Sequence, residues 1–205
     1  MKRTVLPALL TALLAVPAST CAQVSETHDP GRVESGSYVL EPSHTQVNFV
    51  VSHMGFTNYY GRFSNASGTL TINPHDPAHD TLEVTVPVET ISTTSDKLNG
   101  DLKGADWLDA EVFPTATFKS AGIMAHGGGT AEVAGTLTLH GITRPMVFSV
   151  RFNGAGINPL DKKYTVGFEV TGQIKRSDFG ISKYVPLVGN QVTLLISAAF
   201  ERQGS

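Results

Sequence analysis

Between Thr136 and Phe152 apolar and polar residues alternate. Leu137 and Leu139, then Met146, Phe148, Val150 and Phe152, stand at every second position, with Thr136, Thr138, Ser149 and Arg151 in the opposite register. A period of two puts one apolar and one wet face on each of two strands. Between them His140–Pro145 reads as a turn: Gly141 can take a positive φ, and Pro145 removes a backbone donor where the second strand begins. The same alternation recurs at Thr45–Val51, Leu82–Val88, Ala131–Leu139, Tyr164–Ile174 and Val192–Phe200. It is weaker at Gly61–Asn73, where Thr69, Leu70, Thr71 and Ile72 leave the inward face open, and at Thr115–Ile123. The pattern predicts about eight antiparallel strands with one apolar face, which must close as a barrel or stack as a sandwich.

One segment follows a different period. Leu98 and Leu102 lie four apart behind Ser95 or Asp96 as N-cap, and Ala105–Asp109 forms a second short turn that Pro114 ends. Gly100 weakens this helix by roughly 1 kcal/mol relative to alanine. The expectation is a short helical insertion, Ser95–Asp109, across one end of the sheet, with Trp107 and Leu108 pointing inward.

Four stretches, in order, carry a resemblance: YVLEPSHTQVNFVVSHMG (Tyr38–Gly55), DLKGADWLDAEVFPTATFKS (Asp101–Ser120), GTLTLHGITRPMVF (Gly135–Phe148) and IKRSDFGISKY (Ile174–Tyr184). Together they resemble the YceI-like family of periplasmic lipid-binding proteins, from about Tyr38 to Glu201. The resemblance implies an all-β, eight-stranded antiparallel lipocalin-like barrel holding a polyisoprenoid, an isoprenoid quinone or a fatty-acid derivative. The chain departs from the family at Leu98-Asn99-Gly100, where relatives often carry a basic residue before the acidic one.

The N-terminus changes the compartment. Lys2 and Arg3 precede an apolar run, Val5–Val16, and then Pro17–Ala22. This is the layout of a secretory signal peptide over residues 1–22, its core too short to span a bilayer comfortably. Cleavage after Ala22 is expected, with Ala18 as the alternative; Thr20 and Ala18 make a poor lipidation box for Cys21. Since Cys21 is the single cysteine, the mature chain then has no thiol chemistry. Residues 23–37 read as a flexible polar leader, and 38–202 as one domain. The net charge of −3, without a basic block, argues against nucleic acid. A periplasmic protein is expected, its partner a hydrophobic small molecule. Transient membrane contact and pairing of two barrels are both compatible with this reading.

Catalytic sets are sparse. The seven histidines are scattered. His75 and His79 share a loop with Asp76, but Pro77 denies them the helical spacing that aligns two metal ligands. Ser43-His44 and Ser52-His53 are adjacent on a strand and so point to opposite sides. No nucleophile elbow, zinc-protease helix or phosphate loop occurs. Neither a metal nor a cofactor is expected beyond the bound chain itself. The competing reading is an enzyme acting on a lipid headgroup through His44, His53 or His140.

Ligand contacts are expected from the apolar rows. Phe49, Val51, Phe148, Val150, Phe168 and Val170 should line the interior of central strands. Met54, Phe56, Trp107, Phe113, Phe118, Phe179 and Ile181 should form the mouth, with His44, Ser182 and Tyr184 near a headgroup. An eight-stranded barrel is wide enough either to fill with side chains or to hold one ligand. The alternation alone leaves both open.

Overall fold

The computed structural model describes residues 26–204, so the expected signal peptide lies outside the described residues. Among the described residues eleven strands are formed: β1 (Glu26–Thr27), β2 (Gly36–Leu40), β3 (Gln46–His53), β4 (Thr57–Phe63), β5 (Ser67–Ile72), β6 (Thr81–Pro87), β7 (Thr115–Gly127), β8 (Thr130–Leu139), β9 (Ile142–Ile157), β10 (Tyr164–Lys175) and β11 (Val188–Arg202). Apart from β1, a two-residue strand added to β9, they make a closed eight-stranded antiparallel barrel, because two staves are each built from two strands. β2 and β3 both pair with β11, β2 opposite Phe200–Arg202 and β3 opposite Val188–Ser197. β4 and β5 continue alongside them in the same way. The ring then runs β6, β7, β8, β9, β10 and returns to β11.

The alternation dictates which way each stave faces. In β8, Val133, Gly135 and Leu137 are buried while Glu132, Ala134 and Thr136 are exposed. Leu70 and Ile72 are the buried pair of β5, which resolves the ambiguous Thr69–Ile72 row. In β7 the register slips between Ser120 and Gly122, so Phe118 and Ile123 both reach the interior although they differ in parity. A bulge of this kind erases the period that a sequence reading relies on.

The β8–β9 turn is shorter than His140–Pro145. Leu139 pairs with Ile142, and His140 (φ 51°) and Gly141 (φ 72°) alone reverse the chain. Two successive positive φ values make the type I′ geometry that matches strand twist. Pro145 lies inside β9, opposite Thr136. β10 pairs with β9 only from Ser149 onward, so the missing N–H of Pro145 breaks no ladder.

Residues 26–37 are not a loose leader. β1 pairs with Gly156 and Ala155 of β9, and Asp29 caps a short 3-10 turn through the Gly31 N–H. Val33 is buried, and the Glu34 carboxylate lies 2.6 Å from the Arg202 guanidinium. Tyr38, fully buried, donates its hydroxyl to the Glu34 carbonyl at 2.5 Å, and burial pushes its pKa up to about 12. The β9 and Arg202 partners are distant in sequence, so a local reading had no signal for them.

The insertion contains one helix, α1 (Asp96–Lys103), capped by Ser95, whose Oγ accepts from the Leu98 N–H. Lys97 and Asp101 pair across one turn at 3.0 Å. Leu102, Trp107 and Leu108 point down into the barrel end.

Candidate functional site

A cavity of about 920 Å³ runs along the barrel axis, near the upper end of what small-molecule sites enclose. Its wall is the inward row of the staves: Phe49 and Val51 from β3, Phe148 and Val150 from β9, Phe168 and Val170 from β10, Leu194 and Ile196 from β11. Two glycines make room for the rings. A Cβ at Gly172 would stand 2.6 Å from Phe148 Cδ1 and from Met146 Cε, and one at Gly61 would overlap the Phe49 ring. The two apolar clusters lie along this wall, so the core of the protein is a lined tube.

One end of the tube is roofed. α1, Trp107 and Leu108 cover it together with the loop between β10 and β11. Arg176 holds that loop. Its side chain is buried and lines the cavity. Nε donates to the Gly189 carbonyl, Nη1 to Ile181, and Nη2 to both Lys183 and Val188, each at 2.9 Å. The Trp107 ring stacks on the guanidinium at 5.4 Å, a cation–π contact. Burial lowers the Arg176 pKa from its ordinary value.

The other end is open. The cavity residues there, His28, Asp29, Pro30, Gly31, Gly127 and Gly128, are exposed. Gly127, Gly128 and Gly129 all have positive φ and make the β7–β8 tip a low rim without side chains. His28 Nδ1 donates to the Asn153 carbonyl at 2.7 Å, while its Nε2 faces Glu26 at 3.3 Å. Asp80 is half-buried at this rim, and its Oδ1 accepts the Asn73 N–H at 2.6 Å.

Burial raises the Asp80 carboxyl to about 6 from 3.8; the Asn73 hydrogen bond opposes this, and repulsion from Asp76 adds to it. An acid with a raised folded pKa holds its proton longer in the folded than in the unfolded chain. Its contribution to stability is therefore present below about pH 4 and lost as pH rises through about 6. Asp80→Asn is expected to raise the melting temperature at pH 8, with the gain vanishing near pH 4. Melting curves of the two proteins across that range check this.

Of the thirteen residues expected to meet a ligand, Phe49, Val51, Trp107, Phe118, Phe148, Val150, Phe168, Val170 and Ile181 line the cavity. Met54, Phe56, Phe113 and Phe179 do not. Met54 and Gly55 form the positive-φ turn between β3 and β4, and this leaves Met54 and Phe56 exposed outside the tube. Phe113 packs edge-on against His140, 4.6 Å between ring centres. Phe179 is buried behind the wall, its carbonyl accepting from His140 Nδ1 at 3.0 Å. The lining also includes Leu194 and Ile196 of the Val192–Phe200 row and Arg176 of the Ile174–Tyr184 stretch, together with the His28–Gly31 strap, which no sequence motif singled out.

The three histidines of the catalytic alternative have separate settings, none on the cavity wall. His44 pairs with Glu41 at 2.6 Å on the exterior, His53 lies beside Tyr59, and His140 sits in the β8–β9 turn. Ser182 and Tyr184 are exposed and do not line the cavity either. Among the described residues, no group of three or more His, Cys, Asp or Glu side chains is placed to hold a metal. None of the described helices is long and apolar enough to cross a membrane.

Apolar rows inside and rows such as Glu83, Lys119, Glu132 and Arg151 outside define a lipocalin-like barrel built around a lumen. The chain belongs to the YceI-like family, whose domain model matches residues 38–200. A UPF0312 protein of Azotobacter vinelandii is 33% identical over 175 residues, covering 84% of this chain and 91% of that one. Among solved structures, Burkholderia cenocepacia BcnA superposes with a TM-score of 0.71 at 25% identity, over 78% of this chain and 98% of that one. A Saccharophagus degradans domain described as polyisoprenoid binding shares the fold, with a TM-score of 0.60 at 16% identity, over 82% of this chain and 99% of that one.

Proposed function

We propose that this protein binds and carries, or stores, a long-chain amphiphile in the periplasm: a polyisoprenoid, an isoprenoid quinone or a fatty-acid derivative. One observation carries the reading. The barrel surrounds a continuous apolar cavity of about 920 Å³ where a packed core of the same strands would have none. Family membership supports it, and so does the polyisoprenoid-binding description of a domain with the same fold. Burial is a sufficient driving force: at ~0.8 kcal/mol per CH₂, one isoprene unit contributes about 4 kcal/mol gross. Ordering of the chain, and its alternative home in a bilayer, reduce the net value. Binding of this kind selects length and shape and requires no acid, base or metal.

Trp107 is the sole tryptophan and lies on the cavity wall at the roofed end. Its fluorescence is expected to change, saturably, as long-chain prenols are titrated into the protein, while a three-carbon alcohol leaves it unchanged. An unchanged signal with every prenol, quinone and fatty acyl chain, together with no lipid in solvent extracts of the native protein, refutes the carrier reading.

A further inference from the structure

The open end of the cavity is acidic. Asp80 and Asp29 both line it, and among the described residues the one other ionisable side chain lining this end is His28. Among the described residues Arg176 is the single lysine or arginine on the cavity wall, and it lies at the roofed end with four of its five N–H donors spent on backbone carbonyls. An amphiphile lying in the tube keeps its tail against the apolar wall and leaves its polar head where the cavity meets water. That is the rim of exposed residues, His28–Gly31 and Gly127-Gly128.

At this rim Asp80 has a free acceptor. Its Oδ1 takes the Asn73 N–H, whereas Oδ2 has no hydrogen-bond partner among the described residues. Asp29 uses Oδ1 to cap its own turn. His28 is occupied on both sides, by the Asn153 carbonyl and by Glu26. A phosphate or carboxylate head would meet carboxylates with no lysine or arginine among the described lining residues of this end to offset them. A head that donates a hydrogen bond finds an acceptor already fixed in place, in a half-buried setting where charge interactions are screened less than in water.

Resting on the carrier reading, we propose that Asp80 is the specificity-determining residue of the site: it accepts a hydrogen bond from a neutral headgroup, such as an alcohol, and excludes anionic heads. The cavity therefore takes the dephosphorylated form of a prenyl chain in preference to its phosphate. The reaction class that supplies the ligand would be one that leaves a free hydroxyl, such as phosphate ester hydrolysis.

The test compares geranylgeraniol with geranylgeranyl phosphate, identical in chain, by Trp107 fluorescence in the full-length protein. Trp107 stands at the far end, so it reports the tail and is not biased by the head. The alcohol is expected to bind at least about tenfold more tightly. Asp80→Asn should narrow the gap to about threefold, chiefly by strengthening the phosphate. Asp80→Ser, which also removes the charge, should shift the ratio in the same direction, and melting curves establish that both variants are folded. Equal or tighter binding of the phosphate by the parent overturns the headgroup assignment and leaves the carrier reading standing. So does a ratio unmoved by both variants, which would place the head at Arg176 instead. If neither compound binds, the carrier reading itself fails.

Discussion

Arg176→Met should lower the stability of the protein by about 3–5 kcal/mol, the largest effect expected from a single side chain outside the apolar wall. Four carbonyls, those of Ile181, Lys183, Val188 and Gly189, share this one guanidinium. Methionine fills similar space but donates nothing, so four acceptors near the cavity roof lose their partner together. Hydrogen bonds to a charged donor contribute more than neutral ones, and an orphaned buried acceptor is costly. Lysine is expected to restore little. Its single ammonium has three donors on a point, whereas the guanidinium reaches four carbonyls through a planar fork. Urea unfolding at an unchanged m-value measures the loss directly. A midpoint like that of the parent would show that the β10–β11 loop is held by its other contacts. Because Trp107 stacks on Arg176, its emission should also shift in the variant before any unfolding.

Val170→Trp should plug the tube. Val170 pairs with Val150 on one side and Ile196 on the other, and all three are half-buried residues of the cavity wall. An indole at this position extends into the lumen, where there is space for it. Stability should hold, while affinity for the longest prenol falls at least about tenfold, or ~1.4 kcal/mol, and short chains are spared. Phe148 is the less suitable place for this substitution. Its ring is buried, edge-on to Phe118 at 5.0 Å and lying in the space above Gly172. Tryptophan there would overpack the wall, at a cost of about 1–3 kcal/mol, and confuse a change of bore with a change of fold. A titration series over prenols of increasing length, run on folded Val170→Trp, reads the cut-off. Unchanged affinity for every length would mean that the chain does not pass Val170.

The sequence by itself determined the inward faces of the strands, the β8–β9 hairpin and the capped helix, because each depends on neighbours two to four residues apart. Phe148 and Val150, Phe168 and Val170, and Phe49 and Val51 could be assigned to an apolar face by parity alone, and that face forms the wall of the cavity. Parity failed where the backbone departs from regularity. The β7 slip brought Phe118 and Ile123 to one side, and the positive-φ turn at Met54-Gly55 carried Phe56 outside. Aromatic character does not distinguish a residue beside the lumen from one behind it, so Phe113 and Phe179 looked equivalent to Trp107. Three things needed the closed barrel. Gly61 and Gly172 let the Phe49 and Phe148 rings lie over the neighbouring strand and leave the lumen clear. Arg176 draws its four carbonyls from the β10–β11 loop and from the first residues of β11. The strap from Glu26 to Glu34 is held by β9 and by Tyr38, Tyr164 and Arg202. Those partners are up to 168 residues away, and contacts at that separation leave no trace in local pattern or composition.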